Sequence, residues 1–125
     1  MSRRDEILGS LLQKRVVEIE VFKFGPYCLI PGRRLLLAGQ DQIELGSRAF
    51  DILVLLVKRC GDVVSPRQIL EHVWPDLTVE DSNIRVQVSD LRHALGPEFQ
   101  RFIVTVRGRG YVFVAPVQRV RPLEA

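Results

Sequence analysis

Residues 82–96 read SNIRVQVSDLRHALG. At about 100° per residue, Ile84, Val88, Leu91 and Leu95 fall in one narrow arc. That spacing predicts an amphipathic helix over about 81–95, its apolar seam turned to a core. Thr78 or Asp81 is placed to cap its start, and Gly96-Pro97 to close it. The opposite side carries Ser82, Val86, Ser89 and His93, with Asn83 and Asp90 beside them. Arg85 and Arg92, seven residues apart, share one flank, and Gln87 lies on the other. An outward valine among small polar residues and arginines raises the question of what this helix touches.

The residues upstream predict two more helices. Phe50, Leu53, Val54 and Val57 have helical spacing, Ser47 is a candidate cap and Gly61 a stop, which predicts a helix over 47–60. Ser65, Pro66 and Gln68 form a capping-box pattern with Pro at the first helical position. Ile69, Leu70 and Val73 then give an apolar side, and Pro75 ends a short helix over 66–73. After a polar loop, RFIVTVRGRGYVFVAPV reads as strand, tight turn, strand, with Arg107 and Arg109 beside the turn glycines.

The N-terminal half is patterned differently. Val17, Ile19 and Val21 alternate with Glu18 and Glu20, a period of two. Turns at Gly25-Pro26, Pro31-Gly32 and Gly39 separate further short strands, so an antiparallel meander of three or four strands is expected. Residues 1–16 are read as an arm, either a short helix or disordered, residues 17–116 as one domain, and 117–125 as a tail or linker.

Bulk properties limit the alternatives. With 125 residues, 46% hydrophobic and 26% charged, the chain reads as one globular unit. No apolar run of about 18 residues is present, and the basic N-terminus makes a poor signal peptide, so a cytoplasmic setting is expected. Cys28 and Cys60 have no partner at metal-ligand spacing and read as reduced thiols. The net charge of +3 is mild, but it is unevenly spread. Residues 65–81 hold one arginine against four acidic residues, whereas 82–111 hold five arginines against two. An acidic segment therefore abuts a basic one. Arginine outnumbers lysine 15 to 3, and its planar fork suits bidentate contacts.

A short helix, a connection, a longer helix with a polar outer face and then a basic hairpin make a winged helix-turn-helix. The major groove of double-stranded DNA rewards such a face. Asn83 and Gln87 can pair with base edges, Arg85 and Arg92 can take guanine or phosphate, and Val86 can meet a thymine methyl. His93 is placed to brush a phosphate, and Arg107 and Arg109 to reach phosphates or the minor groove. A second class stays open, a winged helix that binds protein instead of DNA. An enzyme finds no support, because no catalytic set, metal cluster or nucleotide loop can be assembled. No cofactor and no metal are expected.

Four stretches, LGSRAFDILVLLV, VVSPRQILEHVWPD, VEDSNIRVQVSDLRHALG and IVTVRGRGYVFVAP, resemble the winged helix of bacterial response regulators of the OmpR/PhoB class. They are more similar still to the version at the N-terminus of larger regulators such as the CadC/ToxR-like proteins. The resemblance covers about residues 20–115. It implies an α+β fold with an N-terminal antiparallel sheet of about four strands, three helices and a C-terminal hairpin wing. By position it implies that Ser82, Gln87, Ser89, Asp90 and Arg92 face DNA, that Thr105 binds phosphate and that Arg107 enters the minor groove. It also implies that the linker 74–81 touches RNA polymerase and that copies bind tandem direct repeats or dimerise. Asp90 stands where response regulators often carry a basic residue; it could accept from cytosine N4, form a salt bridge to a neighbour or weaken binding, and fewer phosphate contacts are expected. No receiver domain is read before residue 17, so phosphorylation input is not expected within this chain.

Overall fold

A computed structural model describes residues 20–120. Strands β1 (Val21–Phe24), β2 (Tyr27–Ile30), β3 (Leu35–Ala38) and β4 (Asp41–Gln42) form the expected antiparallel meander. Register pairs Phe22 with Leu29 and Leu29 with Leu36. These three, together with Phe24, are buried on one side, as the period-two pattern requires. The expected start at Val17 and the arm 1–16 lie outside the described residues.

Helix α1 (Ser47–Lys58) buries seven side chains, from Ala49 to Val57, and stands at the centre of the molecule. Gly46, not Ser47, occupies the cap position, and no side chain caps this helix. The Ser47 hydroxyl instead accepts from Arg34 Nη2 at 3.1 Å. The helix ends two residues before the expected Cys60. Helix α2 (Pro66–Val73) has the bounds and the capping box read from its sequence. Gln68 N donates to Ser65 Oγ at 3.1 Å, and Ser65 N donates to Gln68 Oε1 at 2.9 Å.

Helix α3 (Ser82–Leu95) buries Ile84, Val88, Leu91 and Leu95, the predicted seam. Each such burial is worth roughly 1.5–3 kcal/mol. Asp81 takes the cap position in helical backbone geometry without a side-chain bond. Gly96, with φ of 70°, closes the helix. The segment that follows is not a polar loop. A 3-10 turn (Gly96–Glu98) and one turn of helix, α4 (Phe99–Phe102), drive Phe99 and Phe102 inward. Phe102 joins Phe24, Tyr27 and Phe113, with ring centroids 4.9–6.4 Å apart. The expected strand therefore starts at Ile103, not Arg101.

Strands β5 (Ile103–Val106) and β6 (Gly110–Phe113) form the hairpin, Val106 opposite Gly110. The hairpin is strapped to the segment before α2, since Val64 N donates to Tyr111 O at 2.8 Å and Tyr111 N to Val64 O at 3.0 Å. A Cβ on Gly110 would lie 2.0 Å from the Val64 carbonyl oxygen. Only glycine permits this close approach, and its φ of 144° suits no L side chain.

The C-terminal boundary is corrected too. Residues 118–120, read as part of a tail, form strand β7 (Gln118–Val120). It pairs antiparallel with β1, Val21 opposite Val120, and gives a five-stranded sheet of order β4-β3-β2-β1-β7. Arg119 supplies the hold. It pairs with Glu20 and lies 5.4 Å from the centroid of the Phe22 ring.

Candidate nucleic-acid interface

The outer side of α3 and the tip of the β5–β6 hairpin make the candidate interface. Two anchors fix how α3 sits. Its seam packs against α1, α2 and α4. At its end, the Tyr27 hydroxyl donates to the Leu95 carbonyl at 3.1 Å. Burial, then the nearby Glu98 charge, pushes the Tyr27 hydroxyl above its ordinary pKa, so it stays a donor.

Most of the side chains expected at the site are exposed: Ser82, Asn83, Arg85, Val86, Ser89, Asp90, Arg92 and His93 on α3, and Thr105, Arg107 and Arg109 on the hairpin. Gln87, on the flank, is half-buried. Val86 is 57% exposed, so its outward placement is real and no neighbouring element covers it. The fold brings Arg92 and Thr105 to one groove, which Phe99, Gln100, Ile103 and Val104 complete. Two of these residues escaped the sequence reading. Gln100 adds a polar side chain beside Thr105, and Phe99 carries the Arg92 guanidinium 5.0 Å from its ring centroid. The one signal for Phe99 was its three-residue spacing from Phe102, a single helical turn and too short to establish a period; Gln100 had none.

Charge pairing divides the arginines, although Arg33, exposed in the turn before β3, also sits in none of the ion pairs. Among the described residues, Arg34, Arg59, Arg67, Arg101 and Arg119 each have a carboxylate partner. Arg48 donates to the Val73 carbonyl and lies over the Trp74 ring. Arg85, Arg92, Arg107 and Arg109 sit in none of these ion pairs, although Asp90 and Glu98 are close in sequence. Glu98 is taken by Arg101 at 3.4 Å, and Asp90 lies round the helix from both α3 arginines. Chemically, the face offers uncompensated guanidinium groups, small polar groups and one exposed methyl cluster.

The linker between α2 and α3 has a different character. Trp74 and Val79 hold it to the body, while Leu77 is 60% exposed among Asp76, Glu80 and Asp81. Among the described residues, no cluster of His, Cys, Asp and Glu is placed to hold a metal ion. No helix among them is long and apolar enough to cross a membrane.

Comparison with known proteins matches this arrangement. A family model described as "Transcriptional regulatory protein, C terminal" matches residues 39–113. The phosphate regulon transcriptional regulatory protein PhoB of Escherichia coli (strain K12) is 35% identical over 96 residues, covering 75% of this chain and 42% of PhoB. The chain thus spans less than half the length of that relative. The DNA-binding domain of E. coli CadC superposes with a TM-score of 0.72 at 26% identity, covering 80% of this chain and 96% of that one. The DNA-binding domain of Klebsiella pneumoniae RstA, solved in complex with the RstA box, superposes with a TM-score of 0.65 at 26% identity, covering 75% and 96%. With its five-stranded sheet, three principal helices and hairpin wing, the chain belongs to the family of C-terminal winged-helix domains of transcriptional regulatory proteins.

Proposed function

We propose that this chain binds double-stranded DNA in a sequence-specific manner as the DNA-binding part of a bacterial transcription regulator. In this reading α3 lies in the major groove and the wing, residues 105–111, grips backbone and minor groove. The observation that carries it is the clustering on α3 and the wing of four exposed arginines, Arg85, Arg92, Arg107 and Arg109, that sit in none of the ion pairs. An exposed arginine without a partner is already arranged for phosphate, because no ion pair has to be broken first.

The roles follow from position. Arg85, Arg92, Arg107, Arg109, Thr105 and His93 face the sugar-phosphate rails. Ser82, Asn83, Val86, Gln87, Ser89 and Asp90 face base edges. The solved RstA complex is DNA-bound through the same kind of domain, which supports the reading. The acidic linker 74–81 suits a protein partner better than DNA, since like charge repels the duplex. We assign it to RNA polymerase, with Leu77 as its exposed apolar contact. Self-association would take place on tandem direct repeats, and the setting would be the cytoplasm.

Fluorescence anisotropy of the 125-residue chain with a duplex selected from a random pool tests this. Affinity should fall steeply with salt, and Arg107→Ala should flatten the log–log slope by about one unit. Binding that is absent at low ionic strength, or indifferent to salt, would overturn it.

A further inference from the structure

Asp90 is the one carboxylate within α3, and it is exposed at the middle of the helix's outer side. Among the described residues it makes no ion pair and no side-chain hydrogen bond. Its neighbours one turn away are Val86, Gln87, His93 and Ala94. The α3 arginines do not neutralise it. At about 100° per residue, Arg85 and Arg92 stand roughly 140–160° round the helix from Asp90. Arg92 is also held over the Phe99 ring, on the side of the wing. The outer side of α3 is thus split, with a cationic flank toward the wing and a carboxylate beside Val86 and Asn83.

We infer that Asp90 is a specificity-determining residue that selects cytosine at one position of the bound site. The inference rests on the DNA-binding reading above. Once α3 is in the groove, a carboxylate aimed at phosphate would be repelled, so it must find a hydrogen-bond donor on a base edge. The major groove offers two such donors, the N4 amino group of cytosine and the N6 amino group of adenine. Adenine N6 lies next to the N7 acceptor, which repels the second carboxylate oxygen. Cytosine N4 lies next to a C–H, which does not. Asp90 therefore pairs with cytosine and rejects thymine and guanine, whose major-groove polar atoms are acceptors only. Val86, one helical turn earlier and about 6 Å along the axis, meets a neighbouring step about two base pairs away.

The test selects bound duplexes from a random pool with the wild-type chain, Asp90→Ala and Asp90→Asn, followed by titration of single-base variants. The wild type should require cytosine at one position, where replacement weakens binding by about 5- to 150-fold. Asp90→Ala should lose that requirement alone and bind the duplexes that lack that cytosine more tightly at low salt, because an unpaired repulsive charge has gone. Asp90→Asn should shift the same position to adenine, whose N6 and N7 suit a carboxamide. Thermal melting should be the same for all three chains, because Asp90 supports no packing. Identical base preferences in wild type and Asp90→Ala would overturn this inference and leave DNA binding intact. Failure of the wild type to bind any duplex in a salt-dependent way would overturn both.

Discussion

Arg34 and Arg119 of the sheet half and the arginines of the α3–wing half behave as two different materials. In the first, Arg34 reaches Asp51 at 2.8 Å and two oxygens of Ser47, lies 4.8 Å from the Phe50 ring centroid, and so clips β3 to the start of α1. Arg119 clips β7 to Glu20 and Phe22 in the same way. In the second half, Arg85, Arg107 and Arg109 extend into solvent without a carboxylate, and Arg92 has only an aromatic ring beneath it. One residue type thus serves as internal glue where acids are placed to meet it and as reserve cation where they are not. What distinguishes Arg34 and Arg119 from the α3–wing arginines is the position of the nearest carboxylate.

The largest effect on stability should come from neither set. Leu91 is fully buried in the seam of α3. Leu91→Ala should cost about 2–5 kcal/mol through the cavity it leaves, measured by urea denaturation, and DNA affinity should fall only with the folded fraction. Next come the reserve cations. Arg107→Ala or Arg92→Ala should cost about 1–3 kcal/mol of duplex binding. Arg107→Ala should leave the melting temperature unchanged. Arg92→Ala should lose up to about 1 kcal/mol of stability as well, from its contact with Phe99. Unchanged DNA affinity in both variants would erase the functional side of the contrast.

The contrast also explains what could be read from sequence alone. Periodic apolar residues announced all three long helices, and Ser65-Pro66-Gln68 fixed the start of α2 to the residue, because a capping box is a local device. The exposed faces of α3 followed from the same periodicity. The misses were mostly long-range. Nothing near Arg119 in sequence indicates that Glu20, ninety-nine residues earlier, will draw 118–120 into a fifth strand. Ser47 reads as a cap, but Gly46 takes that position and the Ser47 hydroxyl meets Arg34 from another element. Phe99 and Phe102 were lost because a single helical turn is too short to show a period, and Phe102's partners Phe24 and Tyr27 lie on the first two strands. At the site, Arg92 and Thr105 were each named, but their shared groove depends on α4, which was not foreseen.

A sharper comparison removes a glue arginine instead of a reserve one. Arg34→Ala takes away a half-exposed ion pair and two bonds to Ser47. The expected loss is about 1 kcal/mol of folding stability, the upper range for exposed pairs, with no change in duplex affinity or in its salt slope. A drop in DNA affinity larger than the drop in folded fraction would show that the sheet half also touches the duplex.

The smallest effect, and the most specific, concerns pH. Burial pushes the Glu20 carboxyl up, but the hydrogen bond and charge of Arg119, with Lys58 at 3.5 Å, together outweigh it. The net result holds Glu20 below its ordinary value of 4.5. A carboxylate lowered by folding adds stability that is fully present above its unfolded value and is lost as pH falls through its folded value. The β7 clip should therefore persist above about pH 4.5 and release below it. Glu20→Gln should remove under about 1 kcal/mol at neutral pH, since the pair is partly solvent-exposed. It should also flatten the acid limb of the stability profile below pH about 4.5. Urea melts across that range, with amide exchange at Val21–Phe24 as the local readout, measure both. Because Glu20 lies in the sheet half, its variant should bind the selected duplex like the wild type. An acid limb identical in the two chains would mean that β7 is held by its backbone pairing with β1 alone, and that Arg119 belongs with the reserve cations.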